Sequence, residues 1–260
     1  MRTATMLIAA AALLLGGGTL ARAELSQQGD LIVAFDGGLT PNKLPRRTPA
    51  PVAVRVAGDV KNANGDPTQL PQLRTIGVAI NSAGSLYDNG LPTCRVETIQ
   101  PATEQEAERV CGRAIIGTGH VTVQVRLPSQ TPFTVKAKLL AFNGPKKNGQ
   151  KLILAQVYAK APPGAFVLAF RVKNRGGVFG TLLSTTLPES AQEWAYLTHF
   201  DMTLERRYRF RGKARSYVSA ACGAPAGFPG AVFPFAKATY GFDDGRRLTT
   251  AVVRSCKVRE

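Results

Sequence analysis

The longest regular pattern of apolar and polar positions runs from Trp194 to Arg211 with a period of two. Even positions read Trp194, Tyr196, Thr198, Phe200, Met202, Leu204, Arg206, Tyr208 and Phe210. Odd positions read Ala195, Leu197, His199, Asp201, Thr203, Glu205, Arg207, Arg209 and Arg211. Successive side chains of a strand point to opposite faces, so this run predicts one aromatic, buried face and one wet face that turns basic toward its end. Such alternation belongs to antiparallel sheets with one solvated side.

Further strand candidates fill the chain on both sides. They are Leu31–Phe35, Val52–Val60, Leu73–Asn81, His120–Leu127, Thr134–Phe142 and Leu152–Lys160, then Phe166–Val172, Phe179–Leu187, Ser216–Cys222, Phe233–Phe242 and Leu248–Val258. Asp36-Gly37-Gly38, Asn64-Gly65, Asn89-Gly90, Asn148-Gly149 and Asp244-Gly245 are turn pairs that accept positive φ. The expectation is an all-β fold: a large antiparallel sandwich or curved sheet of about ten to twelve strands. One short helix is predicted, opened by a capping box of Thr103 with Glu106 and closed near Arg109, Gly112 and Arg113. The Ala161-Pro162-Pro163-Gly164 break is a candidate boundary between two lobes, 24–161 and 165–260, of what is otherwise a single large β domain.

Residues 1–23 carry the pattern of a secretory signal peptide. Arg2 opens it, Met6 to Leu15 is the apolar run, and Ala21-Arg22-Ala23 places small residues at the cut before Glu24. The apolar run is too short to cross a bilayer, and no later segment reaches eighteen apolar residues, so no transmembrane segment is expected. Cleavage leaves 237 residues and lowers the formal net charge from +16 to +14. That excess attracts anionic partners over a Debye length of about 8 Å. For an exported chain these are envelope polymers, anionic lipids, acidic glycans or free nucleic acid.

Four cysteines in such a chain are expected to be oxidised. Of three possible pairings, Cys94 with Cys111 and Cys222 with Cys256 join the closest stretches. Without a CxxC or a histidine-rich cluster, no metal and no cofactor is implied; Asn62-Ala63-Asn64-Gly65-Asp66 lacks the distal glutamate of a calcium loop.

The candidate binding surface is the cationic stripe Arg207, Arg209, Arg211, Lys213 and Arg215, which share one parity. Lys136 with Lys138, and Arg171, Lys173 and Arg175, repeat it in shorter form. Arginine's planar fork suits phosphate or carboxylate, so an anionic polysaccharide or envelope polymer is the expected partner. The competing reading is solvated decoration that discourages edge pairing. Tyr208 and Phe210 have the parity opposite to Arg207 and Arg209, which argues against a stacking platform and against a specific nucleic-acid partner.

Candidate chemistry is sparse. His199 and Asp201 lie two apart on one strand face, but no GxSxG elbow accompanies them. Gly117-Thr118-Gly119 leads into a strand rather than a helix, which leaves turn glycines rather than a phosphate loop. Asp36, Asp201, Asp243 and Asp244 could supply a hydrolase's carboxylate pair. The apolar stretch Phe228–Phe235 reads as a loop over the core or a hydrophobic lip.

Leu44–Pro51, Arg206–Lys213 and Ala226–Phe235 are similar to segments of uncharacterised exported β-rich proteins of high-GC Gram-positive bacteria. The resemblance runs along most of the mature chain, implies export, and supplies no functional residues. The sequence therefore favours an exported, non-enzymatic binding or structural module with a basic sheet face. A secreted carbohydrate-active hydrolase and an apolar-ligand carrier are the alternatives.

Overall fold

Eighteen strands and two short helices follow one another in the computed structural model, which describes residues 23–161, 163–188 and 194–259. The predicted signal peptide lies outside these residues apart from Ala23. The first strands are β1 (Glu24–Gln28), β2 (Leu31–Thr40), β3 (Lys43–Leu44), β4 (Ala50–Pro51), β5 (Ala53–Asn62), β6 (Leu73–Ile80) and β7 (Gly84–Leu86). Helices α1 (Val96–Ile99) and α2 (Glu104–Cys111) come next. The long strands β8 (Ile115–Val125), β9 (Phe133–Lys147), β10 (Gln150–Lys160) and β11 (Pro163–Asn174) then lead to β12 (Thr181–Thr186) and β13 (Ala195–Leu204). The chain ends with β14 (Arg207–Phe210), β15 (Lys213–Ser216), β16 (Val218–Ala220), β17 (Gly230–Phe242) and β18 (Arg247–Val258). The all-β expectation holds, with more strands than the ten to twelve expected and, besides α2, the turn α1 and two 3-10 turns at Pro67–Gln69 and Gly112–Ala114.

Thirteen strands form one sheet in the order β1-β2-β5-β13-β8-β9-β10-β11-β12-β6-β17-β18-β3, antiparallel except for β18 with β3. A twisted sheet of this width curls. Here it curls until β18 reaches β1 and β2. The Thr250 hydroxyl donates to the Glu24 carbonyl (3.2 Å), Arg246 to the Gln28 carbonyl (3.3 Å), and Arg254 Nε to the Gly37 carbonyl (2.6 Å). Side chains thus cover what would otherwise be two open edges. The small sheet β4-β16-β7 lies beyond the main sheet, and its buried Ala50, Val218 and Ala220 join the same core. The residues about the proposed lobe boundary sit at the β10–β11 hairpin, whose strands pair from Lys151–Val172 to Lys160–Pro163.

The interior is apolar: Val33, Phe35, Val54, Val78, Leu139, Ile153, Leu183 and Tyr240 are all buried there. A second, outer core covers part of the other face. Ile99, Ala102 and Ala107 of the helical segment bury Leu140, Phe142, Leu152, Leu154 and Val167 of β9 to β11. Those strands are therefore apolar on both faces, which explains why their sequences lack clean alternation.

Three sequence expectations change. The alternating run from Trp194 does not form one strand: β13 ends at Leu204, and β14 belongs to a separate two-stranded ribbon with β15. Within β13 the pairing to β8 shifts between Leu197 and His199, a bulge that reverses parity. Ala195 and Leu197 face inward before it, Phe200, Met202 and Leu204 after it, and Trp194 stands 38% exposed. Asp36-Gly37-Gly38 is no turn but mid-β2; a Cβ on Gly37 would come within 2.8 Å of the Arg55 carbonyl and of the Phe235 ring. Gly117 and Gly119 likewise stand inside β8, where a Cβ would strike the β13 backbone at Thr203 and Asp201.

Candidate functional site

The stripe Arg207, Arg209, Arg211, Lys213 and Arg215 does not form one face. Arg211 and Gly212 both take positive φ and make a two-residue turn of the kind that matches strand twist. Such a turn pairs odd with even positions: Arg207 opposite Ser216, Tyr208 opposite Arg215, Arg209 opposite Ala214, Phe210 opposite Lys213. Directly opposed side chains share a face. Arg207 and Arg209 therefore lie on one side of the ribbon, and Lys213 and Arg215 on the other, with Tyr208 and Phe210. The second side rests on the loop before α1: the Tyr208 hydroxyl donates to the carbonyls of Tyr87 (3.2 Å) and Asn89 (2.9 Å), and Arg215 stacks over Tyr87. Burial, aided by the Tyr87 and Asp88 charges, pushes the Tyr208 phenol up to about 12.

Of the shorter basic segments, Lys138 is already neutralised. It donates to Glu104 (2.5 Å) and Glu108 (2.9 Å) of α2, and these carboxylates hold its ammonium above the usual lysine range. Arg171 and Arg175 stand elsewhere. They line a groove of about 1190 Å³ on the outer face of β11, β12, β6 and β17.

The groove follows from the register. One row across the sheet reads Arg171, Ser184, Gly77, Thr239; the next reads Lys173, Leu182, Ala79, Lys237; a third reads Thr186, Thr75, Gly241, Arg247. Apart from Leu182 the middle positions are small, and each row carries a cation at one end or both. Three strand spacings of about 4.8 Å put β11 and β17 about 14 Å apart. A Cβ on Gly77 would make only ordinary contacts, the nearest 3.6 Å from Leu182, so packing does not require glycine there. Glycine in a strand interior costs about 0.5–1 kcal/mol relative to alanine. The missing side chain leaves the floor open.

The helical segment forms the near wall and carries Arg95, while the end of β9 adds Lys146 and Lys147. This wall is fixed in several ways. Cys94 is bonded to Cys111, and Cys222 to Cys256 elsewhere, as expected from their spacing. Thr103 and Glu106 complete their capping box, and Gln156 donates from β10 to the carbonyls of Ile99 (2.7 Å) and Ala102 (2.9 Å).

Among the described residues, none of Arg95, Lys146, Lys147, Arg171, Arg175, Lys237 and Arg247 enters an ion pair. Elsewhere Arg254 pairs with Asp36, Arg246 with Asp30 and Asp244, and Lys151 with Asp88, whereas Arg207, Arg209, Arg211, Lys213 and Arg215 of the ribbon, like the groove cations, enter no ion pair among the described residues. Glu97 is the sole acid in the groove lining among the described residues, which also includes no aromatic side chain. Lys237 lies over the Phe179 ring, 5.3 Å from its centre. Sequence reasoning missed this site because its cations come from five separate segments; only Arg171, Lys173 and Arg175 gave a local signal.

Other candidates resolve into local roles. His199 Nδ1 meets Asp59 at 2.9 Å and Nε2 lies 3.6 Å from Asp201, which also approaches His120 at 3.8 Å. No hydroxyl or thiol bonds either imidazole among the described residues, so this histidine–carboxylate network, half-buried at His199, has no nucleophile hydrogen-bonded to it. Asp36, Asp201, Asp243 and Asp244 each have their own partners and share none: Arg254, the histidines, the Gln72 amide and Arg246. Asn62, Asn64 and Asp66 accept amides of their own loop. No three metal-ligating side chains converge among the described residues. Phe228 is 60% exposed, at the end of a loop whose carbonyls accept from Arg46. No helix of the described residues is long and apolar enough to cross a membrane.

No family model, curated protein or solved structure matches this chain.

Proposed function

We propose that this is an exported protein that binds a linear anionic polymer in the outer groove. The carrying observation is the set of seven cations, without an ion pair among the described residues, around a floor of Thr75, Gly77, Ser184, Thr186 and Thr239. Uncompensated cations of this density repel one another and make a field that a polyanion relieves. Arginine forks clamp phosphate or carboxylate bidentately, and the floor hydroxyls accept or donate to the polymer backbone. With no aromatic in the lining among the described residues, recognition rests on charge rather than ring stacking, which favours a flexible phosphate-bearing chain over stacked bases. The signal-peptide pattern of residues 1–23 and the two disulfides support action outside the cell.

The test is a titration of the protein beginning at Glu24 with inorganic polyphosphate, polygalacturonate and neutral dextran across a salt series. The proposal predicts binding to the charged polymers that weakens steeply as salt rises, with polyphosphate preferred, and none to dextran. Salt-independent binding, or equal binding to dextran, overturns it.

A further inference from the structure

We infer that the interior of the curled sheet takes a single aliphatic chain, inserted end-first. A ring of this many strands is wider than its own side chains fill; eight strands suffice for that. One side of the interior is nevertheless packed, by Phe35, Tyr240 and Phe242. The other side keeps an apolar cavity of about 110 Å³. Cavities of roughly 150 Å³ with such walls stay dry and accept small hydrocarbons.

The span of its lining selects a chain. The lining runs along β13 from Ala195 to Leu204, a length of about 25–30 Å at roughly 3.3 Å per residue. Every lining side chain among the described residues is apolar. The two ends differ. Val54 and Leu204, toward the small sheet, are buried beside half-buried Ile80 and Met202, whereas Phe166, Leu168, Ala195 and Leu197 at the other end are all half-buried. Apolar side chains left partly wet at the end of a dry cavity mark an entrance. The chain's polar head stays outside it, in solvent.

The groove is on the opposite face of the sheet, so this inference stands apart from polyanion binding. The probe is 1-decanol, uncharged so that the cations play no part, titrated against methyl-resolved NMR spectra; 1-adamantanol, a compact cage of similar apolarity, is the shape control. Saturable shifts at Ile153 and Leu183 methyls with decanol, and none with adamantanol, are expected. Two substitutions block the path: Ala195→Phe at the entrance and Ala155→Leu deeper in β10. Each should weaken decanol binding about tenfold or more, equivalent to about 1.4 kcal/mol, while polyphosphate binding is unchanged. The half-buried Ala195 site keeps the test valid if the deeper variant misfolds. Absence of methyl shifts, equal response to adamantanol, or unchanged affinity in a folded Ala195→Phe protein overturns the inference.

Discussion

Gly58 faces Phe200 so closely that a Cβ on the glycine would lie 2.5 Å from the ring, and 2.7 Å from the Tyr240 hydroxyl. These residues sit where β5, β13 and β17 converge on the interior. The Tyr240 hydroxyl in turn donates to the Ala34 carbonyl at 3.3 Å, which links β17 to β2 across the interior. Gly58→Ala forces those rings outward, and overpacking of this kind costs about 1–3 kcal/mol. Chemical denaturation should show that loss with an unchanged denaturant slope. Wild-type stability in the variant would contradict the packing described.

Breaking the Cys94–Cys111 bridge loosens the near wall of the groove. The bridge spans 17 residues, for which the loop-entropy account gives about 3 kcal/mol. The double variant Cys94→Ser/Cys111→Ser should lose thermal stability by that order and expose Leu140, Phe142 and Leu154. A rise in hydrophobic-dye fluorescence reports the exposure; wild-type stability and dye response would refute the wall's dependence on it.

Alkaline pH tests the buried phenols. Burial pushes Tyr208 up to about 12 and raises Tyr217 and Tyr240 as well. An unfolded phenol releases its proton near pH 10. Between about pH 10 and 12 the unfolded chain is thus deprotonated while the folded protein keeps these protons. Stability is complete below this window and falls as pH rises through it. Absorbance at 295 nm should therefore gain part of its tyrosinate signal only as near-ultraviolet circular dichroism collapses. Ionisation of all six tyrosines at pH 11 with tertiary structure intact would contradict this.

Much of the fold was legible because strand patterning is local. All the strand candidates contain real strands, and the Thr103–Glu106 box marks a real helix start. Short pairings such as Gly84–Leu86 with Val218–Ala220 carry no such pattern, since three residues show no period. The bulge at Thr198 and the Arg211-Gly212 turn each reversed a parity on which a face assignment depended. The groove was hidden for another reason. Lys237, Arg247, Arg171 and Arg95 become neighbours only through the order β11-β12-β6-β17-β18 and the placement of α1. The ribbon stripe, consecutive in sequence, drew attention that the scattered groove could not.

The central claim is that the groove, not the ribbon, engages the polyanion. Two triple variants remove the same formal charge: Arg171→Ser/Arg175→Ser/Lys237→Ser in the groove, and Arg207→Ser/Arg209→Ser/Lys213→Ser on the ribbon. Both should fold, because solvated substitutions change stability little. Polyphosphate affinity at one fixed salt concentration is the deciding measurement. The groove variant should bind about tenfold or more weakly, as expected when charge-assisted hydrogen bonds are lost, and the ribbon variant within about twofold of wild type. Equal losses, or a larger loss from the ribbon, would contradict the account.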